Sequence, residues 1–220
     1  SPADYVLYLE HLFSYEFARD NLLKPTDSVL EIGCGEGYGA ALLAQKVSRI
    51  IGLDIDEATL SHAAGKYASE KCSFQFYDGK KLPFKTGTFD AAVSFQVIEH
   101  VQDDRAYLAE IARVLKSQAR LLLTTPNRTY RLDPGEKPWN RFHLREYYPE
   151  ELAALLKRYF PKAAIWGIQG SEAVRAIELE RVRVGRKLVA FDPLQLRYLA
   201  PEKLRFAVSR RLPKLLGREA

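Results

Sequence analysis

Four glycines at alternate positions, Gly33, Gly35, Gly37 and Gly39, constrain this chain more than any other feature. The apolar run Val29–Ile32 leads into them, and the apolar-rich segment Ala40 to Val47 leads away. That order predicts a strand, a tight turn and a helix. Glycine has no Cβ, so such a turn folds sharply and lets a ligand touch the backbone. A helix after it points its free N–H groups back toward that ligand.

Dinucleotide-binding folds place a G-x-G-x-x-G turn in the same position, so the glycines alone do not choose the ligand. The neighbouring charges do more. Glu31 precedes the first glycine by two positions, Glu36 sits inside the turn, and no Lys or Arg lies between Val29 and Gln45. A pyrophosphate would meet two carboxylates and no cation. S-adenosylmethionine carries a sulfonium, an ammonium and no phosphate, so the sign of the Coulomb interaction favours it. A nicotinamide oxidoreductase on a similar fold is the competing enzyme class.

The second part of the pattern is the segment Arg49–Asp54, a short apolar strand ending in an acid about 20 residues after the turn, where a carboxylate can accept ribose hydroxyls. With these residues in place, the chain resembles the small-molecule subgroup of class I S-adenosylmethionine-dependent methyltransferases, over residues 5–167. The resemblance implies an α/β fold: a Rossmann-like, parallel-dominated sheet with helices on both faces. It also implies S-adenosylmethionine as cofactor and S-adenosylhomocysteine as product. By resemblance the cofactor contacts are Glu31, Gly33, Cys34, Gly35, Gly37 and Tyr38 in and around the turn, and Asp54 with Ile55 at the ribose. Asp78 with Gly79 would take the adenine amino group, and Phe95 with Gln96 would line the adenine or methyl-donor side. An aromatic of the N-terminal helix, Tyr15, would reach the methionine end.

The remaining chain is read around this frame. At 220 residues and 47% hydrophobic, it has room for one domain with a real core. No apolar run approaches the ~20 residues of a membrane span, and no signal-peptide pattern is visible. Cys34 and Cys72 form no metal or redox motif, which suits a reduced, cytoplasmic protein. The chain contains no methionine, so a trimmed start is expected. The net charge of +5 is uneven, with the basic excess gathered after Arg197.

Residues 1–25 are expected to form a helix covering the cofactor pocket, with Tyr5, Tyr8, Leu9, Leu12, Phe13 and Phe17 largely on one face. Residues 26–170 form the catalytic domain. Its strands are expected at 28–32, 49–54, 73–77, 89–95 and 119–125, with a sixth at 163–168. Helices are expected at 57–70, from Asp103 or Asp104 to Leu115, and from Pro149. Residues 126–148 are too long for a structureless connection and read as a lid or binding loop. Residues 171–220 form a mostly helical, basic extension, in which 187–191 is a candidate for a seventh strand. The face made by Leu204, Val208, Leu212 and Leu215 suits packing on the domain or a second subunit, with peripheral membrane contact as the alternative.

Methyl transfer to a hydroxyl needs collinear nucleophile, methyl and sulfur, and the loss of a proton. Two histidines near the carboxyl ends of the fourth and fifth strands suit the role of base: His143 in the lid, and His100 after Glu99 as the alternative. Around His143 stand Trp139, Asn140, Arg141, Arg145, Glu146 and Tyr147, residue types suited to substrate contact. Segments 94–100, 125–128 and 140–146 resemble a bacterial branch of the family associated with glycan and O-antigen synthesis, whose Asn-x-Phe-His-x-Arg-Glu pattern is matched by Asn140 to Glu146. A sugar or glycan-precursor hydroxyl is proposed on that resemblance alone; another small metabolite, or a non-catalytic cofactor-binding role, are the alternatives. Some members of the superfamily hold a divalent ion through Glu-x-x-Glu-His after the fourth strand. Gln96 stands at the first of those positions, so no metal is expected, although Glu99, His100 and His143 could still converge. No nucleic acid is expected as partner: the Asn/Asp-Pro-Pro-aromatic of amino-methylating DNA enzymes is missing after the fourth strand, no Pro-Cys nucleophile is present, and no RNA-binding module is visible.

Overall fold

The computed structural model describes residues 2–191; Ser1 and residues 192–220 lie outside the described part. The expected apolar face at Leu204, Val208, Leu212 and Leu215, and any membrane contact through it, therefore fall outside the description.

Five strands form one parallel sheet: β1 (Ser28–Ile32), β2 (Arg49–Asp54), β3 (Cys72–Phe76), β4 (Phe89–Phe95) and β5 (Leu115–Thr124), in the order β3-β2-β1-β4-β5. After β1 the chain first builds outward through β2 and β3. It then crosses back to lay β4 on the other side of β1. The strand order reverses between β1 and β4, and the crevice at their carboxyl ends is where such sheets bind ligands. All five residues of β1 are buried, as a strand covered on both faces requires.

The two faces carry separate cores. On one, Tyr15, Ala18 and Leu23 from the N-terminal region pack with Ala40 and Leu43 of α2 (Tyr38–Ala44) over Val29, Ile50, Ala91 and Val93. On the other, Tyr107, Leu108 and Ile111 of α4 (Asp104–Val114), with Leu152 and Leu156 of α6 (Pro149–Lys157), cover Leu30, Ile32, Leu53 and Ala92; between these helices α5 (Arg128–Arg131) is a single turn. Successive β1 residues thus serve opposite faces, as the pleat dictates. α3 (Glu57–Tyr67) packs along β2 and β3, and Asp56 caps it by accepting from the Ala58 and Thr59 amides. Asp103 does the same for α4, from Arg105 and Ala106.

Several expected boundaries shift. The N-terminal helix α1 (Pro2–Phe17) runs into a π-helical turn at Ala18–Leu22. Its buried residues are Val6, Ser14 and Tyr15, whereas Tyr5, Tyr8 and Phe13 are exposed by 62%, 49% and 48%, so the expected aromatic face is not the one that packs inward. β5 starts directly at the end of α4, earlier than expected. Its pairing with β4 jumps from Phe89↔Leu115 to Ala91↔Arg120, and Gln118 at φ 67° marks the irregularity. Residues 163–168 form no strand; Trp166 and Ile168 are exposed by 77% and 51%. Residues 187–191 are helical, the end of α7 (Glu172–Phe191), which packs on α1. Among the described residues the sheet therefore has five strands.

Candidate active site

The glycine turn is built from contacts that differ from one glycine to the next. Gly33, Gly35 and Gly37 have φ of +77°, +50° and +81°, values that side chains resist. A Cβ on Gly33 would fall 2.4 Å from Val97, and one on Gly37 would fall 2.7 Å from the Phe74 ring. On Gly39 it would overlap the Tyr15 ring at 2.0 Å, so this glycine exists to let the N-terminal helix lie on α2. Gly35 alone of the four has no protein atom within 4 Å of that position. The space beside it is open.

The turn ahead of α2 is held by bonds of its own backbone. α2 is only seven residues long, and much of the turn's backbone is already paired. The amides of Gly33 and Cys34 donate to the Leu53 carbonyl at 2.7 and 2.9 Å, and Gly37 donates to Cys34 O at 3.0 Å. Gly35 N–H donates to Asp54 Oδ2 at 2.9 Å. These bonds tie the turn to the end of β2 and set its shape.

Asp54 also accepts from the Ile55 and Asp56 amides through Oδ1, at 2.7 and 3.1 Å. A carboxylate offers about four acceptor sites, so three bonds leave one on Oδ2. Accepting both ribose hydroxyls would require one internal bond to give way. Ile55, exposed by 63%, follows at the mouth of the crevice, and the bare backbone of Gly79 lies close to its side chain. Asp78 turns its own loop by accepting from the Lys80 and Lys81 amides through Oδ1, and those bonds hold its carboxyl below the usual range.

Glu31 is fully buried at the end of β1. Oε1 accepts from the Tyr15 hydroxyl at 2.5 Å, and Oε2 has no partner. Burial pushes its pKa up to about 8; the Tyr15 bond opposes that rise and the Asp54 charge adds to it. The negative charge read from the sequence is therefore conditional: a positive ligand nearby brings it out. Tyr15 meets the Tyr38 and Phe95 rings edge-on at 5.4 and 4.9 Å, closing one wall. Burial and the nearby Glu31 carboxyl push the Cys34 thiol well up, which keeps it unreactive.

The β4 loop supplies the other wall. Gln96 adopts φ 56°, the left-handed region, and is held there by its amide bonding Thr124 O at 2.9 Å. Strain of this kind in a non-glycine residue gathers at functional sites and carried no mark in the sequence. A single 3₁₀ turn, Ile98–His100, follows.

That turn holds the 126–148 connection. Leu144 N–H donates to Glu99 O at 2.8 Å, and His100 Nδ1 bonds Phe142 O at 2.8 Å. The two clamps bring His100 and His143 together across 43 residues of chain, rings edge to face with centroids 4.8 Å apart. Glu99, His100 and His143 each present a donor atom within 4.8 Å of the others. The convergence left open in the sequence is realised.

The six expected acceptor contacts divide differently. Arg145 binds Asp104 Oδ2 and Gln102 O, and Tyr147 donates to Asp104 Oδ2, so both anchor the lid on α4. Glu146 is buried between His143 Nδ1 at 2.7 Å and Arg131 Nε at 2.9 Å. Burial would raise its carboxyl, but the bonds from His143 and Arg131 outweigh it and hold it below the usual range. Trp139 lies under the Arg131 and Arg181 guanidinium groups, and Asn140 turns the loop by accepting from the Phe142 and His143 amides. Arg141 stacks on Phe142 at the exposed tip. Arg131, which the sequence did not single out, links Glu146 to Glu178 of α7.

A model of the methyltransferase domain family matches residues 30–123, which include the glycine turn, Asp54 and the β4 loop. The fold is the class I methyltransferase fold. The YcgJ protein of Bacillus subtilis superposes with a TM-score of 0.61 at 22% identity, covering 90% of this chain and 88% of that one. The [4+2]-cyclase SpnF superposes at 0.59 with 24% identity, over 67% and 56%, so sharing this methyltransferase fold does not by itself fix the chemistry. A "probable S-adenosylmethionine-dependent methyltransferase" of Mycolicibacterium smegmatis is 43% identical over 59% of this chain and 49% of its own length. The Mycobacterium tuberculosis protein of the same name, Rv3030, is 40% identical over 58% and 46%. The chain spans about half the length of these curated relatives. S-adenosylmethionine is the cofactor that family and fold imply, and the site fits it: open space over Gly35, an unpartnered buried Glu31 oxygen and an acceptor site left on Asp54.

Proposed function

We propose that this chain transfers a methyl group from S-adenosylmethionine to a hydroxyl of a small-molecule acceptor, a sugar or glycan precursor. The observation that carries the transferase reading is the pairing of a carboxylate-lined glycine turn with a histidine cluster at the carboxyl ends of neighbouring strands. Asp54 and Ile55 hold the ribose, Asp78 and Gly79 receive the adenine, and Tyr15, Glu31 and Phe95 surround the methionine end. The bound cofactor supplies an electrophilic methyl carbon on a good leaving group. The protein's part is to place the acceptor oxygen behind that carbon and make it nucleophilic.

His143 is the centre for the second task. Glu146, held below the usual range by its two bonds, accepts from the Nδ1–H of the neutral ring, which leaves the lone pair on Nε2. In its simplest form the step is proton transfer from the acceptor hydroxyl to that nitrogen. Several more distant relatives are named O-methyltransferases, which supports oxygen as the atom methylated. The sugar rests on the Asn140 to Glu146 pattern. Cys34 and Cys72, both buried and unpaired, suit a reducing, cytoplasmic setting. No helix among the described residues is long and apolar enough to cross a membrane.

The test is calorimetry with S-adenosylhomocysteine and NADH, followed by a homocysteine-release assay across hydroxyl acceptors. Binding of the first nucleoside and turnover on a sugar or nucleotide-sugar hydroxyl are expected. Binding of NADH instead would replace the transferase reading with the oxidoreductase one. Cofactor binding without turnover on any acceptor would favour a non-catalytic role.

A further inference from the structure

We infer that Glu99, His100 and His143 form a binding site for a divalent first-row transition cation. The donor atoms already lie within 4.8 Å of one another. In a tetrahedral set, ligands at roughly 2.1 Å from the ion stand about 3.4 Å apart, so side-chain shifts of about 1 Å or less complete the set.

Two independent observations point to a ligand there. The first is Glu99. Its side chain is fully buried, Oε2 accepts from Thr125 Oγ1 at 3.0 Å, and Oε1 has no partner. A buried carboxylate oxygen without a donor is costly, and a cation removes that cost. The second is the state of the two imidazoles. Phe142 O can only accept, so His100 Nδ1 carries the proton. Glu146 fixes His143 the same way. In both neutral rings Nε2 then holds the lone pair. A backbone carbonyl and a carboxylate on the far ring nitrogens are the partners that orient metal-binding histidines.

Two imidazoles and one carboxylate suit Zn²⁺, Mn²⁺ or Co²⁺ better than Mg²⁺. Gln96 stands where a fourth charged ligand would make the site closed; three protein ligands leave positions open. The role of the ion rests on the transferase reading above, but its binding does not. With the cation bound, the lone pair of His143 goes to the metal, and activation of the acceptor passes to the ion. The acceptor oxygen coordinates, loses its proton to water and bonds to the methyl carbon. The carbon–sulfur bond breaks and its electron pair stays on sulfur, giving neutral S-adenosylhomocysteine.

The full chain is stripped with a chelator and titrated with Co²⁺, followed by visible absorption, and with Zn²⁺ and Mn²⁺ by calorimetry. Glu99→Gln and His100→Ala are measured in parallel, with thermal melts to show that each folds and S-adenosylhomocysteine affinity as a second readout. One ion per chain is expected, with visible cobalt bands, and a loss of affinity of roughly 100-fold or more in each variant. Nucleoside affinity is expected to stay within about twofold. No binding of any of the three ions at about 1 mM overturns the site and leaves Glu99 a structural acid. Binding that both folded variants retain overturns it equally. Metal binding without nucleoside binding would keep the ion site and remove the transferase reading.

Discussion

The Tyr15 hydroxyl donates to Glu31 Oε1 at 2.5 Å, so the N-terminal helix supplies the one hydrogen bond that the buried acid of β1 receives. Tyr15→Phe keeps the ring on Gly39 and removes only that bond. The carboxyl is then left buried with both oxygens unpartnered, at a cost of about 1–3 kcal/mol. For a chain of this size that corresponds to a fall in Tm of roughly 2–10 °C, read by a thermal melt. An unchanged Tm would mean that the N-terminal helix does not depend on Glu31 for its seat.

Glu31 also predicts a pH dependence. Its pKa in the folded protein is about 8, above the ordinary carboxylate value of 4.5. The folded state therefore holds this proton more tightly than the unfolded one. The stability it contributes is complete below the unfolded value and is lost as pH rises through the folded value. The ligand-free protein should lose Tm between pH 5 and pH 9, and Glu31→Gln should flatten that slope. Because a cationic ligand favours the carboxylate, S-adenosylmethionine binding near neutral pH should release protons. Calorimetry in buffers of different ionisation enthalpy measures the number released.

The glycines separate fold from function. Gly37→Ala forces a left-handed alanine against Phe74 and Ala63, and should destabilise the chain by several kcal/mol (about 1–2 from the backbone alone). Gly35→Ala meets no protein atom. Its cost is the backbone term of about 1–2 kcal/mol, so it should fold and yet lose nucleoside affinity by about tenfold or more. A Gly35→Ala protein with full affinity would show that the open space over this glycine is not the cofactor's.

This contrast marks how far the sequence could be read. Strand, turn and acid recur at set spacings, so the Val29–Gly39 segment and Asp54 announced the sheet and its ligand-binding end. Local pattern also gave the cap of α4, Asp103, as one of two neighbouring candidates, while the Asp56 cap of α3 went unread. What failed depended on the third dimension. Periodicity put Tyr5 and Tyr8 on a packed face, but α2 and α7 chose the face carrying Val6 and Tyr15. An apolar run at 163–168 has strand composition, yet it adds no strand to the β5 edge. Arg145, Glu146 and Tyr147 have the chemistry of substrate contacts, and only the fold shows that Asp104, Arg131 and His143 engage them first. The meeting of His100 with His143 depends on two backbone clamps that have no residue signature.

Asp54 ties the end of β2 to the glycine turn through the Gly35 amide. Asp54→Asn keeps the size of the side chain and removes its charge. Loss of one charge-assisted bond to ribose, about 1.5–3 kcal/mol, should weaken S-adenosylhomocysteine binding by about 10- to 100-fold. Titration of the variant measures this, with a melt to separate it from loosening of the turn. Unchanged affinity would take the ribose away from Asp54 and leave it as the brace of the glycine turn.

His143 tests the acceptor end without touching the cofactor. Its side chain is joined to Glu146 and faces His100 and Glu99, not a residue of the glycine turn. His143→Ala should therefore keep nucleoside affinity within about twofold, because it removes no bond made by that turn. Turnover should fall by about 100-fold or more, the usual scale for a lost acid–base group. Glu146→Gln is the finer probe. An amide there can still accept from Nδ1, but it no longer favours charge on the ring, so kcat should fall less than in His143→Ala and its pH profile should move. Because Glu146 also pairs with buried Arg131, the same variant should lower Tm, and kcat is to be read below the new melting range. Normal turnover in a folded His143→Ala protein would make the histidine a strut of the lid and move acceptor activation elsewhere.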